Sequence, residues 1–168
     1  VCIPPCYIKR VHDTYGEKIN ICTVVGFPLG YSVTEAKAAE TKKALEDGAS
    51  EVDMVVNISD VKNGNYDAVQ AEIAALKKIT GDKILKVIIE TCYLTEEEKI
   101  AMCKAVTAAG ADYIKTSTGF GTAGATLEDI RLFRENIGQD VKMKAAGGVK
   151  TVADMEAFLE AGCDRIGT

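Results

Sequence analysis

The chain has 168 residues, 47% of them hydrophobic, with 15 Gly and 3 Pro, which is enough for one domain with a sizeable core and too few for two ordinary ones. Lys and Arg number 20 against 25 Asp and Glu, so the formal net charge is −5, and no cationic block offers the clustered contacts a nucleic acid requires. Aromatic residues make up 6% with Trp absent, no apolar run reaches membrane-spanning length, and no charged-then-apolar leader opens the sequence, so base-stacking and membrane roles are set aside.

Taken in order, β-rich runs fall at Val1–Ile3, Ile19–Val25, Glu51–Ile58, Ile84–Glu90, Asp112–Thr116, Val141–Ala145 and Arg165–Ile166. Most are separated by stretches in which apolar residues recur every three or four positions, the helical period. Val69, Ile73 and Leu76 form one such set, Ile100, Cys103 and Val106 a second, and Met155, Phe158 and Leu159 a third. Helix starts are predicted at Ser32 ahead of Glu35, Thr95 ahead of Glu98, Thr126 ahead of Asp129 and Thr151 ahead of Asp154. In each, a hydroxyl can accept from a free first-turn amide while the acid favours the positive helix end. Gly48, Gly81, Gly110, Gly138 and Gly162 are predicted helix stops, where a left-handed residue ends the turn. Strands alternating with helices on short links predict a parallel sheet covered by helices.

An internal echo narrows the architecture. Three helix-to-strand joins, beginning at Gly48, Gly110 and Gly162, place Asp53, Lys115 and Gly167 at the same offset. Joins of equal geometry would set these residues at one level on one face of the sheet. A closed barrel gathers three distant strands in that way, and its reactive face is the C-terminal rim. About seven strand–helix units are present, against the eight strands and roughly 250 residues of a complete barrel. The expectation is therefore a single α/β domain over residues 1–168, a TIM (β/α)8 barrel incomplete at both ends.

The six cysteines stand singly, at Cys2, Cys6, Cys22, Cys92, Cys103 and Cys163. Only Cys2 and Cys6 are close in sequence, and the lone His12 does not complete a zinc set with them. This usage fits a reduced, cytoplasmic, soluble enzyme-like domain without a metal. No Walker loop or dinucleotide-binding glycine turn occurs, so no nucleotide cofactor is expected.

The polar residues inside apolar strands carry the chemistry. Lys115 lies between Ile114 and Thr116 and leads into Ser117, Thr118 and Gly119, a hydroxyl-rich strand exit. By residue type alone an exposed or salt-bridged lysine is the commoner outcome, because charged groups are rarely buried unpaired. Lys144 takes the comparable place one strand later, ahead of Gly147 and Gly148. Two ammonium groups facing one low-dielectric pocket repel, which lowers the pKa of at least one and frees a neutral, nucleophilic amine. Asp53, within the apolar run Val52–Val56, is the candidate proton carrier, or alternatively a buried partner that neutralises a lysine. An amine, a second lysine and an acid describe carbonyl chemistry through a Schiff base. Gly147, Gly148 and Gly167 end the last two strands, where barrel phosphate sites form from free amides, although each alone could be an ordinary turn glycine.

The segments Glu51–Asn57, Leu85–Thr91, Tyr113–Gly119 and Lys144–Val149 resemble, in order, the motifs of the deoxyribose-phosphate aldolase family. The resemblance implies a barrel-fold class I aldolase that reversibly cleaves 2-deoxy-D-ribose 5-phosphate to acetaldehyde and D-glyceraldehyde 3-phosphate. It implies that Lys115 forms the Schiff base, that Lys144 perturbs it and that Asp53 relays protons. It also implies that Gly119, Gly147, Gly148 and Gly167 surround the substrate phosphate. Partners would be small sugar phosphates and aldehydes, with a homo-oligomer left open. Set against the family's pattern, its first strand and its phosphate-loop serines are not among residues 1–168, and Phe120 stands where some members carry a lysine. The alternatives are another Schiff-base aldolase or transaldolase, and a non-catalytic sugar-phosphate-binding barrel fragment.

Overall fold

The computed structural model describes residues 1–168. Six parallel strands, β1 (Cys22–Val25), β2 (Glu51–Val55), β3 (Ile84–Ile88), β4 (Tyr113–Lys115), β5 (Lys142–Ala146) and β6 (Arg165–Gly167), pair in sequence order. Helices α2 (Thr34–Glu46), α4 (Tyr66–Thr80), α5 (Glu96–Ala108), α6 (Leu127–Asn136) and α7 (Val152–Glu160) return the chain between successive strands. Before β1 lies α1 (Ile8–Tyr15), and after β2 lies the short α3 (Ile58–Lys62). No helix is long and apolar enough to cross a membrane.

Consecutive order means that the sheet is wound in one direction, and side-chain bonds across it reveal its curl. Lys144 on β5 reaches Asp53 on β2 at 3.0 Å, and Arg165 on β6 reaches Glu51 on β2. In a flat sheet β2 and β5 would lie about 14 Å apart and β2 and β6 about 19 Å. The strands therefore bend into an arc with its concave side inward.

The two faces divide the residues by chemistry. Val52, Met54, Leu85, Val87, Ile114, Met143 and Ala145 join the 26-residue core formed with the helices, which includes Ile73, Leu76, Met102, Ile130 and Phe133. The alternate positions carry Cys22, Glu51, Asp53, Lys86, Lys115, Lys144 and Arg165, which bond to one another on the concave side. Period-two alternation thus puts apolar residues outward beneath helices and charges inward.

Several sequence expectations need correction. The run Val1–Ile3 supplies only a single bridge, Cys2 to Cys22, so there are six strands and not seven. Pro4 and Pro5 follow directly, and without backbone N–H groups they end the ladder. The predicted strand Glu51–Ile58 stops at Val55, because Asn57 accepts from the Ser59 amide and starts α3. Ser32 does not cap α2, whose N-cap is Val33 without a side-chain bond. The other three caps form: Thr95 and Thr151 make capping boxes with Glu98 and Asp154, and Thr126 accepts from the Asp129 amide. Gly138 is not a left-handed stop. Its amide donates to Thr107 Oγ1 at 3.0 Å, and a Cβ there would lie 2.5 Å from Thr107 Cγ2, so close approach to α5 is what requires the glycine.

Candidate active site

Lys115, Lys144 and Asp53 come from three strands and meet at one oxygen atom. Lys115 Nζ lies 2.8 Å and Lys144 Nζ 3.0 Å from Asp53 Oδ2. All three are buried, at 6%, 8% and 0% exposure. Asp53 and Lys115 share the concave face but not one hydrogen-bonded row. Asp53 pairs with Lys86 and through it with Tyr113, whereas Lys115 pairs with Lys144 and then Arg165. Gly167 pairs with Ala146, a further row toward the strand ends. Strands tilt in a curled sheet, so residues at one height belong to successive rows.

Lys86 is the residue that sequence reasoning passed over. It is fully buried on β3, with Nζ at 2.8 Å from Asp53 Oδ1 and 2.6 Å from Glu51 Oε2. Arg165 also bonds to Glu51, and its guanidinium lies 5.2 Å from the centre of the Tyr113 ring. Four basic side chains, Lys86, Lys115, Lys144 and Arg165, thus surround the two carboxylates Glu51 and Asp53. The one local signal was a lysine within the apolar run Ile84–Ile89; its partners are set by strand register, which no short segment encodes.

Burial alone would raise the Asp53 carboxyl, but the ammonium groups of Lys115, Lys86 and Lys144 overcome it and hold the acid far below its ordinary value. Burial would lower Lys86, and Asp53 with Cys22 and Glu51 drives it above the usual lysine range instead. Cys22 Sγ donates to Asp53 Oδ1 at 3.2 Å, so both carboxylate oxygens have two partners. Cys2, Cys22 and Asp53 bring three potential metal-ligand atoms within 4.8 Å of one another, although Asp53 is already committed to ammonium groups.

The rim above this cluster is built from strand exits. Ser117 is two residues beyond Lys115, fully buried, with no protein partner for its hydroxyl. Glu90, past the end of β3, is the one non-glycine residue with positive φ, at 54°. Its carboxylate accepts from the Thr118 amide at 3.2 Å and from the Thr118 hydroxyl, fixing the turn that follows Lys115. Gly119, Gly147 and Gly148 have φ of 90°, 79° and 77°, which L side chains rarely adopt. A Cβ on Gly124 would lie 2.1 Å from the Gly147 carbonyl oxygen, so the exits of β4 and β5 touch backbone to backbone. Gly167 has ordinary φ, but a Cβ there would meet Ala146 Cβ at 2.9 Å and Lys144 Cε at 3.5 Å. Phe120 is exposed and packs edge-to-face on Phe27 at 5.4 Å, joining the β4 exit to the β1 exit beside a pocket of about 510 Å³.

Buried lysines sharing a carboxylate, at the C-terminal end of a curled parallel sheet, are the equipment of an aldolase. The comparisons agree. The model of the DeoC/LacD family aldolases matches residues 1–164, and the chain belongs to that family. It is 75% identical to a deoxyribose-phosphate aldolase of Clostridium botulinum (strain Alaska E43 / Type E3) over 168 residues, covering all of this chain and 76% of the relative. With the deoxyribose-phosphate aldolase of Clostridioides difficile (strain 630) the identity is 62%, covering 77% of that protein. Among solved structures, the aldolase QR15 superposes with a TM-score of 0.94 at 42% identity, covering all of this chain and 76% of that one. The tetrameric deoxyribose phosphate aldolase of Aeropyrum pernix gives 0.91 at 29% identity, covering 99% and 71%.

Proposed function

We propose that the protein reversibly cleaves 2-deoxy-D-ribose 5-phosphate to acetaldehyde and D-glyceraldehyde 3-phosphate through a Schiff base on Lys115. The reading is supported by 62–75% identity to deoxyribose-phosphate aldolases along the whole chain. The observation that carries the mechanism is the single Asp53 oxygen shared by Lys115 and Lys144. In this reading the six strands are part of an eight-stranded barrel, and residues 1–168 belong to one domain.

The Lys115 amine adds to the C1 aldehyde of the open-chain sugar, water leaves, and an iminium forms. As the C3 hydroxyl gives up its proton, relayed through water by Asp53, the C2–C3 bond breaks and its electron pair moves toward the iminium, leaving an enamine. Glyceraldehyde 3-phosphate departs, C2 takes a proton, and hydrolysis releases acetaldehyde and the free lysine. Asp53, held ionised, is a poor resting place for a proton and a good bridge between Lys115 and Lys144. When Lys115 gives up its proton, Lys86 and Lys144 still neutralise the carboxylate. Gly119, Gly147, Gly148 and Gly167 present backbone to the substrate phosphate, whose remote binding orients the reacting carbons.

The test is turnover of 2-deoxy-D-ribose 5-phosphate, followed by coupled reduction of the triose phosphate released. Lys115→Ala is expected to remove activity and Lys144→Ala to lower kcat by about 100-fold or more. Undiminished turnover by Lys115→Ala would reject the assignment.

A further inference from the structure

Apart from the lysine–carboxylate cluster, the concave face holds one reactive group that the mechanism leaves unused. Cys22 sits on Asp53, and Cys2 stands opposite it as its partner across the parallel bridge. The bridge is held on both sides, with the Cys22 amide donating to Val1 O at 2.8 Å and the Ile3 amide to Cys22 O at 3.0 Å. Neighbouring strands lie about 4.8 Å apart, inside the range of Cα separations that a disulfide spans. Both thiols are free, and their sulfur atoms lie within 4.8 Å of each other and of an Asp53 oxygen.

We propose that Cys2 and Cys22 form a reversible oxidation site, a dithiol that hydrogen peroxide closes to a disulfide, withdrawing the Cys22 donor from Asp53. The two sulfurs are unequal in the way the reaction requires. Beside Cys22, Cys2 is lowered to about 6, with help from Lys115 and Lys144 and against the effects of burial and Asp53. The same pairing and burial push Cys22 upward. Cys2 and Cys22 both line a cavity of about 480 Å³ that Lys86 and Lys144 also border. The Cys2 thiolate attacks one peroxide oxygen, the O–O bond breaks, and the departing oxygen leaves as water once protonated, giving a sulfenic acid. Cys22 sulfur then attacks Cys2 sulfur, the S–O bond breaks, and the Cys22 proton leaves with that oxygen as a second water. Two thiols lose two electrons and the peroxide gains them. For the disulfide to form, Cys22 Sγ must turn from Asp53 Oδ1 toward Cys2, and the carboxylate loses one of four partners.

The predicted effect on rate rests on the aldolase reading; the chemistry of the cysteine pair does not. The reduced protein is treated with a small excess of hydrogen peroxide, digested without reductant and mapped by mass. The expected product is a Cys2–Cys22 cross-linked peptide lighter by two hydrogens. Turnover should fall by about tenfold, the scale of a lost hydrogen bond to a charged group, and return with dithiothreitol. Cys2→Ser and Cys22→Ser, each compared with its own untreated rate, should resist the loss. A map showing both thiols still free, or oxidation confined to Cys6 or Cys92, overturns the site. Equal peroxide sensitivity in Cys22→Ser overturns the proposed consequence. If the reduced protein shows no turnover, the aldolase reading fails, while the peptide map still decides the cross-link.

Discussion

Asp53 would be driven toward neutrality by burial alone; three ammonium groups keep it ionised, and stability is thereby tied to pH. A carboxyl held below its unfolded value binds fewer protons folded than unfolded in acid, so its contribution is present above about pH 4 and is lost as pH falls toward the folded value. Lys86 behaves in the opposite sense: its raised value means stability present below the ordinary lysine range and lost as pH rises through the folded value. Urea melts followed across pH should show both flanks. Asp53→Asn should remove the acid-side contribution of this carboxyl and cost about 3–5 kcal/mol, because it strands buried ammonium groups. A variant as stable as the parent at neutral pH would refute that electrostatic account. Lys115, Lys144 and Asp53 were legible as polar residues misplaced in apolar strands, and they touch. Lys86 bore the same mark without an assigned role. The Glu51–Arg165 pair was not legible, because its partners are 114 residues apart and only strand order brings them together.

Among the elements, helix starts separate local chemistry from tertiary context. Thr95 and Thr151 make their capping boxes, whereas Ser32 has the same spacing to an acid and makes no cap. Thr95→Ala and Thr151→Ala should each cost about 1 kcal/mol, and Ser32→Ala only a few tenths, by denaturant midpoint. A Ser32→Ala loss equal to the others would contradict the cap assignment. The β4 and β5 exits allow a second test. Gly124→Ala places a methyl against the Gly147 carbonyl, which forces the two glycine loops apart. The expected outcome is a KM for the phosphorylated sugar raised about tenfold or more with a smaller change in kcat, as befits lost remote binding. An unchanged KM would remove the Gly147 loop from phosphate binding. Such contacts were hidden in the sequence because a glycine needed for close approach reads the same as one needed for a left-handed turn, as Gly138 illustrates.

At the scale of the molecule, the alternation of strands and helices was legible from periodicity, and the parallel sheet follows from it. The strand count was not. Val1–Ile3 has strand composition, but a single bridge is all it forms beside β1. The chain covers about three quarters of the length of the relatives it matches, and β2, β3, β4 and β5 have neighbours on both sides. Amide exchange should therefore be slowest in Val52–Val55, Leu85–Ile88 and Ile114, and faster in α1, where Ile8 alone is buried. Protection of α1 equal to that of these strands would contradict this graded picture.

The central claim is that Lys115 is the amine that captures the carbonyl. Incubation with acetaldehyde and borohydride, then proteolysis and mass mapping, should place one two-carbon adduct on Lys115, with none on Lys86 or Lys144. An adduct on either of those lysines in place of Lys115, or no adduct under conditions of active turnover, would contradict the account.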